Sequence, residues 1–147
     1  MPRVELSTVI DRPPNEVFAY LTDFNRAAEW QAGVLASSSP NGQVTVGSTI
    51  REIRSMFGTK QEFLGVVTAY DPVQRTYTGR TTSGPFPAQA QWTVAPAAGG
   101  SRVSVIEQGW PRGPMKLMDP LISVMFRKAL GASLINLKRV LESGAAA

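Results

Sequence analysis

Residues 10–30 read IDRPPNEVFAYLTDFNRAAEW, from Ile10 to Trp30. An alternating strand, Val4–Ile10, runs into Arg12-Pro13-Pro14 and stops, because consecutive prolines supply no ladder hydrogen bonds. Pro14 suits the first turn of a helix, where its missing N–H is not needed. Glu16 falls in that turn, favourably placed against the helix dipole. Val17, Phe18, Leu21 and Phe24 recur at helical spacing. Thr22-Asp23 interrupts the pattern, and Asn25–Trp30 predicts a second short helix. The stretch therefore reads as a strand feeding a small V-shaped helical pair.

The far end of the chain reads as one long helix. Asp119 is the expected N-cap and Pro120 the first helical position. From there to about Glu142, Phe126, Leu130, Leu134, Leu137 and Leu141 form a continuous apolar ridge. Beside it runs a smaller, more polar ridge of Ile122, Met125, Ala129, Ser133 and Asn136. Gly131 sits mid-helix, where glycine costs about 1 kcal/mol against alanine. Close packing on a sheet is the favoured reason, with space for a ligand as the alternative. Residues 143–147 should fray.

Between these ends lie six further strands: Gly33–Ser39, closed by the turn Pro40-Asn41-Gly42; Gly47–Phe57; Gln61–Tyr70; Thr76–Thr82; Ala88–Val94; and Arg102–Gln108. Gly58-Thr59-Lys60 predicts a tight hairpin, and Pro96–Gly100 a loop. Short strands, tight turns and one long amphipathic helix predict an α+β fold. A curved antiparallel sheet of about seven strands, one of them short, wraps the C-terminal helix, with two short helices after strand one.

Composition narrows the chemistry. At 147 residues the chain suits a single domain spanning 1–147. No run approaches the roughly 18 apolar residues of a membrane span, and Met1–Glu5 lacks a secretory signal's apolar core. A soluble cytoplasmic protein without integral membrane association is the expectation. The absence of cysteine removes disulfides, thiol nucleophiles and cysteine metal sites. The absence of histidine removes the commonest general base and metal ligand. No cofactor or metal is expected, and any proton transfer falls to a shifted carboxylate, lysine, tyrosine or water. The net charge of +4 concentrates late, at Arg112, Lys116, Arg127, Lys128, Lys138 and Arg139. A nucleic-acid or anionic-membrane role could follow from it, but a solvated helix face is favoured. No nucleic-acid motif accompanies it. Oligomeric state is left open.

Two sets of residues resemble the START-like (SRPBCC) superfamily, in its polyketide cyclase/dehydrase branch. The first is the opening strand with Arg12-Pro13-Pro14-Asn15-Glu16-Val17-Phe18, Leu21-Thr22-Asp23 and Glu29-Trp30. The second is Leu137-Lys138-Arg139-Val140-Leu141-Glu142. Tyr70-Asp71-Pro72 and Gly99–Val103 sit where that group has similar strand ends. The resemblance implies a helix-grip fold with a cavity for an apolar small molecule between sheet and helix. It leaves function broad, since the superfamily holds carriers, receptors, cyclases and co-chaperones.

Candidate site residues follow from strand phase. Ala88, Ala90, Trp92 and Val94 share one face and should point at the helix; Trp92 beside alanines either lines a pocket or fills the core. Val103, Val105 and Glu107 share a face, so inward valines carry Glu107 inward too. There its pKa would rise unless a cation pairs with it, although a salt bridge or strand-end exposure is favoured. Strand three turns charge inward in either phase. Arg54 would go in with Ile50 and Glu52, or Arg51 with Ile53, but an edge with cross-strand ion pairs is the favoured reading. On strand four, Leu64, Val66 and Tyr70 are preferred over Phe63, Val67 and Ala69. Trp110–Met118 bridges the last strand and the helix. Its Trp110, Met115, Leu117 and Met118 either gate the cavity or cap the core.

The expected ligand contacts are thus Trp30, Leu64, Val66, Tyr70, Ala90, Trp92, Val105, Trp110, Met118, Ile122 and Met125. Glu107 and Arg54 are the weak catalytic candidates. The leading expectation is binding of an apolar small molecule such as a lipid, polyketide-like or aromatic metabolite. A polyketide aromatase/cyclase or dehydratase is the alternative. A protein-interaction role, as in a stress or toxin–antitoxin component using the basic late helix, is the third.

Overall fold

The computed structural model describes residues 1–39, 44–56 and 58–144. The expected turn at Pro40-Asn41-Gly42, the end of strand three at Phe57 and the tail from 145 lie outside the described residues. In chain order the elements are β1 (Arg3–Ile10), α1 (Pro14–Leu21), a 3-10 helix (Phe24–Glu29), β2 (Val34–Ser38), β3 (Thr49–Met56) and β4 (Thr59–Asp71). They continue with β5 (Thr76–Thr81), β6 (Ala88–Ala97), β7 (Gly100–Gly109), a second 3-10 helix (Gly113–Met118) and α2 (Asp119–Glu142). The strands form one antiparallel sheet in the order β1-β7-β6-β5-β4-β3-β2. The first and second strands in sequence are therefore its two edges. The strand, helical insert, strand series and final helix expected from the sequence are all present.

The opening stretch acts as a clasp. Pro13 holds the cap position of α1 without a side-chain cap, and Pro14 begins the helix as expected. Asp11 and Arg12 reach across to the end of α2. The Asp11 backbone N–H donates to Glu142 Oε2 at 2.9 Å, and Arg12 Nη2 donates to the Glu142 carbonyl at 2.9 Å. Lys138 Nζ donates to the Val9 carbonyl at 2.6 Å and pairs with Glu142 at 2.8 Å. Ser101 Oγ donates to the Arg12 carbonyl at 2.6 Å. Leu134, Leu137 and Leu141 bury the ridge of this half of α2 in a cluster with Val4, Ile10 and Val103.

Several boundaries differ from the sequence expectation. Thr59 and Lys60 belong to β4, paired with Met56 and Ser55. β6 continues through Pro96 to Ala97, so only Ala98 and Gly99 turn the hairpin. Pro96 is tolerated because β5 pairing ends at Thr93, and a missing N–H costs little along an unpaired edge. The helix expected over Asn25–Trp30 is a 3-10 helix one residue earlier. Asp119 is not the N-cap: Met118 holds that position, and Asp119 is the first helical residue, 3.2 Å from the Met1 amine. Gly131 does not pack closely on the sheet, since an added Cβ would meet nothing within 4 Å. Close approach falls instead at Gly109, where a Cβ would stand 2.9 Å from Phe86 and 3.1 Å from Phe126.

The largest correction concerns β4. Its ladder with β5 slips between Val67 and Ala69, so Thr68 is an extra residue and the strand changes phase there. Val67 is 1 % exposed and opposes Gly79, while Tyr70 opposes Tyr77, which is also buried. The inward set is therefore Phe63, Gly65 and Val67 before the bulge and Tyr70 after it. Neither alternation read from the sequence is kept along the whole strand.

Candidate functional site

Register assembles the site from rows of side chains running across the sheet. Tyr70, Tyr77, Trp92 and Val105 are successive partners on four adjacent strands. The next row is Val67, Gly79, Ala90 and Glu107. Side-chain volume falls sharply from the aromatic row to the second. Facing that second row, α2 offers Ala129 and Ser133. A cavity of about 240 Å³ occupies the resulting space. Tyr77 and Trp92 border its deep side; Ile122, Met125, Phe126 and Leu130 supply the helix side. Met115 and Met118 close over it from the second 3-10 helix, with Pro85 and Phe86 from the β5–β6 connection. Phe86 and Phe126 lie with ring centroids 6.1 Å apart, and the absent side chain at Gly109 leaves room for both.

Four charged side chains, Glu52, Arg54, Arg80 and Glu107, border this otherwise apolar space. Ile50, Glu52 and Arg54 share the inward face of β3, opposite Gly65, Phe63 and Gln61. Arg54 Nε donates to Glu52 Oε2 at 2.6 Å, and Nη2 donates to Gln31 Oε1 at 3.3 Å. The guanidinium also lies 5.8 Å from the Phe63 ring centroid. Arg51 points outward and pairs across the strands with Glu62 at 2.6 Å. The expected edge ion pair thus exists on the outer face, while Arg54 carries its charge inward.

Glu107 lines the cavity from β7. The expected salt bridge does not form: among the described residues it has neither a hydrogen-bond nor an ion-pair partner. Burial pushes its pKa up to about 7, with Arg54 pulling down and Glu52 pushing up. Tyr77 is raised as well, chiefly by burial and then by Glu52. A carboxyl near half-protonation can donate or accept a proton, whereas the paired Glu52–Arg54 ions form a fixed dipole. Among the described residues no group of three carboxylates gathers to hold a metal.

Of the expected contacts, Leu64, Ala90, Trp92, Met118, Ile122 and Met125 border the cavity, as do Glu107 and Arg54. Leu64 does so from its rim, with 39 % of its surface exposed. Trp30, Val66, Tyr70, Val105 and Trp110 do not border it. Trp30 is 1 % exposed and packs edge-on against Trp92, ring centroids 5.4 Å apart. Val66 lies on the outer face, displaced by the phase of Val67. Tyr70 is covered by Phe18 of α1, stacked at 5.9 Å. Val105 is fully buried in the core. Trp110 instead fixes a connection, its N–H donating to the Pro87 carbonyl at 2.8 Å. Of the proposed gate residues, Met115 and Met118 border the cavity, while Leu117 is 87 % exposed. Tyr77 and Phe86 were missed altogether, whereas Phe63 entered only in the less favoured phase of strand four and Glu52 only as the companion of an inward Arg54. Tyr77 could have been found by pairing its inward phase with Trp92.

Fold and cavity together define a helix-grip protein of the START-like (SRPBCC) type. Residues 1–142 match the family described as polyketide cyclase/dehydrase and lipid transport. The chain belongs to that family. Among solved structures, TTHA0849 from Thermus thermophilus is similar over 97 % of this chain and 99 % of its own, at 19 % identity and a TM-score of 0.82. The ZhuI aromatase/cyclase from Streptomyces sp. R1128 aligns over 98 % of this chain and 92 % of its own, at 12 % identity and TM-score 0.75. The di-domain aromatase/cyclase BexL of the BE-7585A biosynthetic pathway aligns over 97 % of this chain and 47 % of its own, at 16 % identity and TM-score 0.78. At these identities the likeness is one of fold. No curated protein matches the sequence. No described helix is long and apolar enough to cross a membrane.

Proposed function

We propose that the protein binds a small apolar molecule between sheet and helix, with the ligand's one polar end turned toward Glu107 and Arg54. The observation that carries this reading is a space bordered by Trp92, Met118, Ile122 and Met125, into which the unpartnered Glu107 carboxyl faces. Apolar burial supplies most of the affinity in such a site, and a few polar groups set orientation. The volume of about 240 Å³ lies below the roughly 300–1,000 Å³ of common ligand sites. The ligand is then a compact one, of one or two rings or a short chain, unless Met115, Met118 and Met125 rearrange around a larger one.

The test is a panel of short-chain lipids and one- to three-ring aromatic ketones, read by thermal shift and by tryptophan fluorescence. A compact ligand should raise the melting temperature and change the emission. Ala129→Phe, which places a ring in the empty space, should abolish both changes. Binding that survives Ala129→Phe unaltered would remove this cavity as the site.

A second reading, cyclisation or dehydration of a polyketide-like ligand, is favoured by one specific observation: a carboxyl poised near neutrality in the same cavity as a guanidinium. Ionised Glu107 would take a proton from the carbon beside a ligand carbonyl. Arg54 would stabilise the enolate oxygen. As the enolate re-forms the carbonyl, the β-hydroxyl would leave with the proton returned by Glu107, releasing water. Loss of one water from a β-hydroxyketone, followed by mass spectrometry, should occur with the native protein and disappear in Glu107→Gln. Binding without water loss in the native protein leaves the first reading and removes the second.

A further inference from the structure

α2 carries apolar residues on the side turned away from its core as well as on the side turned toward it. Leu121 is 50 % exposed, Val124 62 % and Ile135 69 %, and Leu117 in the preceding 3-10 helix is 87 % exposed. At about 100° per residue Leu121, Val124 and Ile135 fall on one stripe of α2, on the far side from buried Leu130 and Leu137. Isolated exposed aliphatics are ordinary, but an aligned stripe of them marks a contact surface. Cations adjoin it: Lys116, Arg127 and Lys128 are exposed, Lys128 standing on the stripe one turn beyond Val124, and among the described residues none has an ion-pair partner. The one acid nearby, Asp119, lies 3.2 Å from the Met1 amine.

We propose that this face, from Leu117 to Val124 with its rim of Lys116, Arg127 and Lys128, docks on anionic lipid surfaces. An amphipathic segment with leucines at its centre and lysines at its edges lies in the interface plane of such a bilayer, and the rim cations meet its negative surface potential. The same charges argue against a second copy of this chain as the occupant. A two-fold contact through the stripe would bring like-charged rims together without an acid to answer them. Its apolar part, Leu117, Leu121 and Val124, also lacks the aromatic anchors typical of protein hot spots. The docked segment adjoins the cavity, because Met115 and Met118 of the same 3-10 helix border it. The docking itself does not depend on what the cavity holds.

Co-sedimentation with vesicles of phosphatidylcholine and phosphatidylglycerol in equal amounts, and with phosphatidylcholine alone, tests this directly. Strong partition to the mixed vesicles, weak partition to the neutral ones and a decline with added salt are expected. Lys116→Gln with Lys128→Gln should weaken binding roughly twenty- to thirty-fold, since each cation near an anionic surface is worth about five-fold. Leu117→Ser with Leu121→Ser should weaken it at least as much while leaving the circular dichroism spectrum unchanged. Arg3→Gln with Arg102→Gln, an equal loss of charge elsewhere, should have little effect. Any of three results overturns the proposal: no partition to mixed vesicles, equal weakening by the Arg3 and Arg102 control, or native binding by the leucine variant. A dimer in sedimentation equilibrium that the leucine variant dissolves would assign the face to a second copy and overturn it too.

Discussion

The two halves of α2 are built for different purposes. The rear half is fastened. Leu134, Leu137 and Leu141 are buried, Lys138 and Glu142 bond to the first strand and its exit, and Arg12 reaches the Glu142 carbonyl. The front half is not filled on its inner side, where Ala129 and Met125 border empty space, and not covered on its outer side, where Leu121 and Val124 are exposed. One helix thus carries the stability of the fold at one end and leaves room for contact with other molecules at the other. The sequence change that divides them is small: large residues on the ridge at the rear, and Ala129 with Ser133 beside it at the front.

The comparison breaks most severely at the rear. Leu137→Ala removes a fully buried side chain and should cost about 2–5 kcal/mol in urea unfolding. Leu121→Ala, on the exposed stripe, should stay within about 0.5 kcal/mol of native. Equal losses would mean that the two halves are not mechanically distinct.

Glu107 gives the next largest effect, and it depends on pH. Its carboxyl is pushed up to about 7 in the folded protein, so the folded state holds the proton more tightly than the unfolded chain does. As pH rises from the ordinary carboxylate range to about 7, the unfolded chain releases the proton first and stability falls; above that it levels off. The loss is at most about 3 kcal/mol. Glu107→Gln should flatten this decline and be the more stable protein at alkaline pH. A native stability that does not fall across that window would place Glu107 in water instead of in an apolar space.

Gly131 lies mid-helix and offers the smallest effect. An added Cβ would touch nothing, and the residue is absent from the positive-φ glycines. Gly131→Ala should therefore gain up to about 1 kcal/mol from helix propensity and unfolded-state entropy. A loss would reveal a packing partner in the groove beside β1.

Most of the frame could be read from the chain. The proline pair after β1, the leucine ridge and the short alternating strands specify a strand, an insert, a sheet and a grip. The inward phases of β6 and β7 were also legible, because Ala90, Trp92, Val105 and Glu107 alternate without interruption. What remained hidden depends on register. β3 carries charge on both faces, so its phase is set only by pairing with β4. β4 in turn contains an extra residue at Thr68 that no local pattern announces. Trp30 illustrates a second limit. A large aromatic at the end of a helical insert reads as a mouth residue, yet its indole N–H is buried without a partner among the described residues. Only the three-dimensional proximity of Trp92 explains where it goes.

The bulge at Thr68 has a consequence for how this protein could change. It sits between the part of β4 that borders the cavity and the part that carries Tyr70 into the aromatic layer. Substitutions before it reshape the chamber; substitutions after it touch the foundation. The extra residue works as an expansion joint, so Phe63 can be exchanged to accept a different guest while the stacked rings beneath keep their places; Gly65 cannot, because an added Cβ would stand 3.1 Å from the Arg80 carbonyl oxygen.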